Sequence, residues 1–516
     1  MLKRDQLFNF LTIFFILIVF ILAICIVNLK TQLWPSKKLS NSCPNCNIVI
    51  IDIDILRADA LECNTDNPNA PNICQLSKTA SYFKNHISHS DLTRPSFISG
   101  LTSLYSSSHN AWNEMYNEIN DEIVLLSEIL KKNTYSTIFI GTLTEQISTD
   151  GFKEVIDIPG ILDSEFKPDE IINNLKKKQP FLLYFHTSEL HFPYLLGEYS
   201  NNNNQDLAPK NIPTTWKEYD ELVAEYIINH NTDIFTQEAI NSHPELFQGN
   251  IKEKKESIYI FFKEAANTPK TKAAFIKNAW KKPKYDSVMN FIDVNNQNHI
   301  QYLKSNYQEL LTLIDNKLAS LLNTFNTPKF ANNTIIIIKS DHGEEFYEHG
   351  SFSHNNNLYQ ELIHIPLIIK TPSNRPVEIN SFSQDIDIMP TLLDLIDIDI
   401  PLQAQGKSLV SLMEGSKTSV NQHQIAQKAE GSIASFRKGD LKLIMKDFRP
   451  FELYDLLQDP KEKNNLIDLE EKTTLLLYEE YNQIINSQKK YSNPASSIIK
   501  SIDKQKRERL IKEGYF

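Results

Sequence analysis

Apolar residues gather in short runs along this chain, and helix-like stretches separate them. "NIVIIDIDILRAD" opens with a buried-type strand at Asn47. Further strand-like runs are "STIFIG" (136–141), "FLLYFH" (181–186), "TIIIIKSD" (334–341) and "IPLIIKT" (365–371). Helical patterns are predicted around 75–84, 122–132, 300–325 and 388–397. Apolar runs alternating with helices predict an α/β fold around a large, mainly parallel sheet. Ligands of such sheets collect at the carboxyl ends of the strands. Three of these runs end in chemically useful residues: Asp54, His186 and Asp341-His342.

Elsewhere the pattern changes. Residues 195–300 are polar and rich in Asn, Lys and aromatics, which reads as an insertion or cap over one face. Later, "SIASFRKGDLKLIMKDF" alternates as antiparallel strands do, and "FELYDLLQDPKEKNNL" with an amphipathic helix closes the chain. A smaller C-terminal α+β subdomain over 431–516 is expected, after a main domain over 47–430. Residues 1–46 are expected to form an anchor and tether. Within them, Phe10 to Val27 is an almost unbroken apolar run, long enough to cross a hydrocarbon core of ~30 Å as a helix. No small-residue cleavage site of the A-x-A type follows, so it reads as an uncleaved signal-anchor. The expected protein is single-pass, with its body on the exported side. Lys3 and Arg4 favour a cytoplasmic N-terminus, although Lys30, Lys37 and Lys38 lie on the other flank.

Charge and cysteine content narrow the picture. A formal charge of -11 without a basic stripe argues against a nucleic-acid surface. Besides Cys25 in the apolar run, Cys43, Cys46, Cys63 and Cys74 make an even set in the exported body. That predicts two disulfides, with three pairings open and Cys63–Cys74 favoured. "CPNC" lacks a second CxxC or a His pair, so a structural clamp is the expectation rather than a redox or zinc motif.

In "KSDHGEEFYEHG", Asp341 and His342 follow an apolar strand at once, offering an oxygen and a nitrogen to a divalent cation. Asp54 ends the first strand and supplies a second carboxylate. A cation held this way with an open position can draw a proton from a bound hydroxyl. "SDLTRPSF" then gains meaning, because Thr93 ligated as an alkoxide is a nucleophile that needs no His-Asp relay. The plainer reading is that Asp54 and Thr93 cap helices.

In order along the chain stand "NIVIIDIDILRADAL", "APNICQLSKTASYFKN", "LTRPSFISGLTSLY", "SELHFPY", "IIIIKSDHGEEFYEHGSFSHNNNLYQELIHIPLIIKTP", "DIDIMPTLLDLI" and "FELYDLLQDPKEKNNL". Together they resemble the sulfatase-like branch of the alkaline phosphatase superfamily. The resemblance implies an α/β/α sandwich with a C-terminal subdomain, acting by hydrolysis or transfer at a sulfate or phosphate ester. It implies one divalent ion (calcium, manganese or zinc) on Asp54, Thr93, Asp341 and His342, with Thr93 as nucleophile. Asp54 is selected over Asp52, which is expected on the strand's opposite face and, if buried, in need of a partner. His191 matches the histidine that contacts the ester or leaving-group oxygen. His354 falls where many sulfatases carry a lysine, and either histidine could be the general acid. His109, His186, His349 and His364 are expected to be structural, and Glu344 to brace the site.

One departure bears on substrate. Sulfatases of this kind read C-x-P-S-R and convert the first residue to formylglycine, whereas this chain has Thr93-Arg94-Pro95-Ser96-Phe97. The final arginine is lost; Arg57 or Arg94 would have to replace its charge. An aldehyde hydrate has two hydroxyls, one to carry the sulfo group and one to expel it. Threonine has one, so a phosphorus ester is expected more readily than a sulfate ester. The expected partners are an ester substrate, lipid or glycan, and the membrane. The alternatives are a headgroup transferase of the phosphoethanolamine type acting on lipids or surface glycans, and a degenerate, non-catalytic glycan-binding member.

Overall fold

The computed structural model describes residues 42–491, apart from 64–66, 113–118, 143–147, 159, 164–165, 176, 197–205, 230–247, 251, 255–256, 258–285, 355–356, 374–375 and 429–430. The apolar run Phe10–Val27 and much of the 195–300 insertion lie outside the described residues. Among the described residues, no helix is long and apolar enough to cross a membrane.

The main strands are β1 (Asn47–Ile53), β2 (Ser81–Ile87), β3 (Ser136–Gly141), β4 (Glu154–Asp157), β5 (Phe181–Thr187) and β6 (Thr334–Lys339). A short hairpin follows, β7 (Glu345–Phe346) and β8 (Phe352–Ser353), then β9 (Leu367–Lys370) and β10 (Val377–Gln384). Eight of them form one sheet in the order β10-β2-β9-β6-β1-β5-β3-β4. Only β9 runs antiparallel to its neighbours, so the sheet is mainly parallel, as expected. β1, β5 and β6 are buried along their whole length, because helices cover both faces and near-continuous apolar runs suit that position.

The two-residue pleat sorts their side chains. Val49, Ile51, Leu183, Phe185, Ile336 and Ile338 pack into one core with the long helix Gln297–Phe325. Ile48, Ile50, Leu182, Tyr184, Ile335 and Ile337 pack into the other, with helices Thr93–Thr102 and Ile388–Leu395. Helix, sheet and helix thus form three layers. A second, antiparallel sheet joins β11 (His423–Lys428), β12 (Ile433–Lys438), β13 (Leu441–Lys446) and β14 (Arg449–Asp455). Helix Glu471–Ser487 lays Leu477, Tyr481 and Ile485 on it. Its first strand lies upstream of residue 431.

The helix expected over 75–84 is wrong in its second half. Helix Pro71–Ser77 stops early, and 81–87 is β2. There Tyr82 enters one core and Phe83 the other, an alternation that an extended strand permits and a helix does not. β4 and β10 were not expected either: the first is exposed throughout and the second only partly buried, so neither carries an apolar run. Both cysteine pairs are bonded, Cys43–Cys46 as the clamp and Cys63–Cys74 as the favoured bridge.

Candidate active site

Adjacent strands line up the site. In the parallel register Lys339 of β6 faces Asp52 of β1, and Asp52 faces His186 of β5. Two residues beyond this row the chain reaches Asp341 and Asp54, side by side at the carboxyl end of the sheet. Asp54, His186 and Asp341 are fully buried, and their ligand atoms all lie within 4.8 Å of one another. Asp341 Oδ1 accepts from the backbone N–H of His342 (2.8 Å) and Ile55 (3.2 Å). Its Oδ2 has no hydrogen-bond partner among the described residues. Burial alone would push the Asp341 pKa up, but the imidazoles of His342 and His186 and the Lys339 ammonium hold it well below the usual carboxylate range.

His342 is oriented by its own loop. Nδ1 donates to the Gly343 carbonyl at 2.9 Å, which turns Nε2 toward the carboxylates. Gly343 is required here, since a Cβ would lie 2.0 Å from the Glu361 carbonyl oxygen. His342 Nε2 lies 3.4 Å from Thr93 Oγ1, 3.6 Å from Asp54 Oδ1 and 3.7 Å from Asp341 Oδ2. Donors bonded to one ion at 2.0–2.2 Å stand roughly 3.4 Å apart in a tetrahedron. The residues therefore fit a cation: paired buried carboxylates, an orphaned oxygen and an oriented imidazole, spaced as ligands are.

Thr93 is not a helix cap. Leu92 is the N-cap and Thr93 the first helical residue, with its hydroxyl turned to His342. The preceding loop is pinned on several sides. Ser88 Oγ bonds Ser96 Oγ (2.7 Å) and the Ser90 carbonyl (2.8 Å), and Asp91 forms a buried 2.6 Å ion pair with Lys428 of β11.

His191 and His354 sit beside this group. Their rings meet edge to face at 4.8 Å, and the His354 ring lies 4.5 Å from that of His342. His354 Nδ1 is 3.2 Å from Glu344 Oε1, whose other oxygen accepts from Tyr194 OH at 2.8 Å. Burial pushes the Glu344 pKa up to about 7. Glu344 thus braces His354, as expected. All the sequence-predicted site residues are brought together: Asp54, Thr93, Asp341, His342, and then His191 and His354.

Other expectations fail. Phe97, in the place of the lost arginine, is a core residue packed edge-on to Tyr184. Arg57 cannot replace the charge, because its guanidinium is engaged by Asp59, Glu348 and the Glu344 carbonyl. His186 is not apart from the site but belongs to the carboxylate cluster. Asp52 does not face away: residues two apart share a face, and Asp52 lies with Ile48 and Ile50. What separates it from the cluster is its partners, Tyr184 OH and Lys339 Nζ (3.3 Å). His109, His349 and His364 have the structural roles expected. His349 is saturated by Glu361 (2.5 Å) and the Glu462 carbonyl (3.0 Å), so the nearby Glu345–His349–Glu361 group needs no ion.

Lys339 was missed. A terminal lysine on "TIIIIK" looks solvent-bound, yet it is buried between Asp52 and Asp385 (3.5 Å), with His86 on Asp385 at 3.1 Å. Lys339→Met leaves two buried carboxylates without their cation and is expected to cost about 3–5 kcal/mol in denaturant unfolding. A loss below about 1 kcal/mol would show that the pair is dispensable.

The Sulfatase family profile matches residues 46–398, and that of the N-sulphoglucosamine sulphohydrolase C-terminal domain matches 347–490. The chain belongs to the sulfatase family. A curated sulfatase-family relative, N-acetylglucosamine-6-O-sulfatase of Bacteroides thetaiotaomicron, is 31% identical over 180 residues, covering 32% of each chain. The matched stretch spans about a third of the length of the curated relatives of this kind. The fold is also that of BT4656, solved with its substrate D-glucosamine-2-N,6-O-disulfate (TM-score 0.59, 20% identity, 86% of this chain and 98% of that one). It is likewise that of the phosphonate monoester hydrolase of Agrobacterium radiobacter (TM-score 0.60, 16% identity, 87% and 97%). One scaffold thus carries sulfate and phosphonate chemistry, and the fold alone does not choose between them.

Proposed function

We propose that this protein is a metal-dependent ester hydrolase, anchored to the membrane by Phe10–Val27 with its body on the exported side. It acts on phosphate esters or diesters through a covalent Thr93 intermediate. The observation that carries this reading is the Thr93 hydroxyl 3.4 Å from His342 Nε2, at the edge of the Asp54–Asp341 pair. A divalent cation held by Asp54, Asp341, His342 and Thr93 would polarise the ester and make the hydroxyl acidic enough to attack near neutral pH.

Thr93, having lost its hydroxyl proton to solvent, attacks as the alkoxide, and its Oγ bonds to phosphorus as the bond to the ester oxygen breaks. His354 or His191 gives a proton to the departing oxygen. Water then attacks phosphorus, returns a proton to the histidine and releases Thr93. With His354 Nδ1 held by Glu344, the proton would be exchanged at Nε2. Thr93 opens a ten-residue helix, whose first-turn N–H groups and dipole favour an anion at that point. A single hydroxyl cannot expel a sulfo group as an aldehyde hydrate does, which is why phosphorus is preferred. The relative named for a sugar sulfate makes a glycan-borne ester the first physiological class to test, and a lipid headgroup the second.

The test is turnover of p-nitrophenyl phosphate, bis-p-nitrophenyl phosphate, phenylphosphonate and p-nitrophenyl sulfate by the purified, metal-repleted full chain. Phosphorus esters are expected to turn over faster. Faster sulfate hydrolysis overturns the substrate class, and no turnover together with no bound metal overturns the enzyme.

A further inference from the structure

His186 stands near the carboxyl end of β5, beside the paired carboxylates. It is fully buried on β5, its Nδ1 lies 3.4 Å from Thr142 Oγ1, and that hydroxyl is tied to Ser188 Oγ at 2.8 Å. Its Nε2 has no hydrogen-bond partner among the described residues. The neighbouring strand makes room for it: a Cβ on Gly141 of β3 would lie 2.9 Å from His186 Cβ and 2.7 Å from its carbonyl oxygen. Yet a ligand nitrogen of His186 lies within 4.8 Å of carboxylate oxygens of both Asp54 and Asp341. Among the described residues no hydrogen bond joins His186 to Asp341, and opposite donors 2.0–2.2 Å from one ion stand up to roughly 4.4 Å apart, close to this separation.

We propose that His186 is a ligand of the cation at Asp54 and Asp341, so that two imidazoles face the paired carboxylates. The inference rests on the metal-dependent reading above. Its chemical consequence is selectivity. Calcium takes oxygen ligands, whereas imidazole suits zinc, manganese and related transition ions. Two nitrogens among the donors place the site in the second class. Thr142 then acts as the outer partner that fixes the ring, a role usually filled by a hydrogen bond to the other ring nitrogen.

The full chain, stripped with chelator, is titrated separately with Zn²⁺, Mn²⁺ and Ca²⁺, and the Mn²⁺ form is examined by pulsed EPR for coupled imidazole nitrogens. Wild type is expected to bind Zn²⁺ or Mn²⁺ at least about 100-fold more tightly than Ca²⁺ and to show two nitrogens. His186→Gln should weaken Zn²⁺ and Mn²⁺ by about 100-fold or more and leave one nitrogen. Thr142→Val, which keeps the imidazole, should weaken binding by a smaller factor and keep both. Circular dichroism of each apo-protein checks the fold. If wild type binds no divalent cation, the metal-dependent reading falls together with this inference. If wild type binds and His186→Gln matches it in affinity and nitrogen count, or calcium is preferred, this inference alone is overturned.

Discussion

Thr93→Val is expected to lose about 1,000-fold or more in kcat/KM against the best phosphorus ester when assayed at saturating metal, with the fold unchanged. Valine nearly matches threonine in shape and lacks only the hydroxyl, so a large loss reports on that oxygen. Thr93→Ser keeps a hydroxyl but frees its rotamer at the first position of the helix. It should stay within about 10-fold of wild type, a split that a purely structural threonine would not produce. Acid-quenched wild type, taken during turnover, should carry the mass of a phosphoryl group on the peptide containing Thr93. The proposal fails if Thr93→Val turns over within about 10-fold of wild type while binding metal normally.

The parts of the site that could be read from the chain share one property: they sit next to a clean strand. Asp54 and Asp341-His342 follow the Ile-rich runs of β1 and β6, so their place at the sheet's end follows from strand length and parallel pairing alone. Thr93 was ambiguous because a Thr before Pro reads equally well as a cap; only the third dimension shows Leu92 capping and Thr93 facing His342. His186 ends "FLLYFH" in plain view, but its chemistry depends on which strands neighbour β5, and strand order is not written in local pattern. Lys339 and Asp385 were hidden for the same reason. A charge looks exposed until its counter-charges, distant in sequence, are seen around it. β4 and β10 lack apolar runs and escaped as strands, while the β2 alternation was overridden by a helical reading of the segment before it.

Asp54→Asn should change the sign of its effect on stability when metal is added. In the metal-free protein, Asp54 and Asp341 are buried carboxylates with ligand atoms within 4.8 Å of each other, and like charges at that distance oppose folding. Neutralising Asp54 relieves that repulsion, so the apo-variant should melt above apo-wild type. Adding the preferred cation reverses the order. Ligand binding to the native state at 100 times the dissociation constant stabilises by about 2.7 kcal/mol. The variant, whose affinity should fall by about 100-fold or more, forgoes most of that gain. Its kcat/KM should fall by a comparable factor, because the Thr93 hydroxyl loses the charge that makes it acidic. Melting curves of the full chain with chelator and with Mn²⁺ or Zn²⁺ read both signs in one experiment. A pair of carboxylates held only for structure would lose stability on mutation in both conditions. That outcome would remove the cation from the reaction, and with it the means by which a threonine could act as a nucleophile near neutral pH.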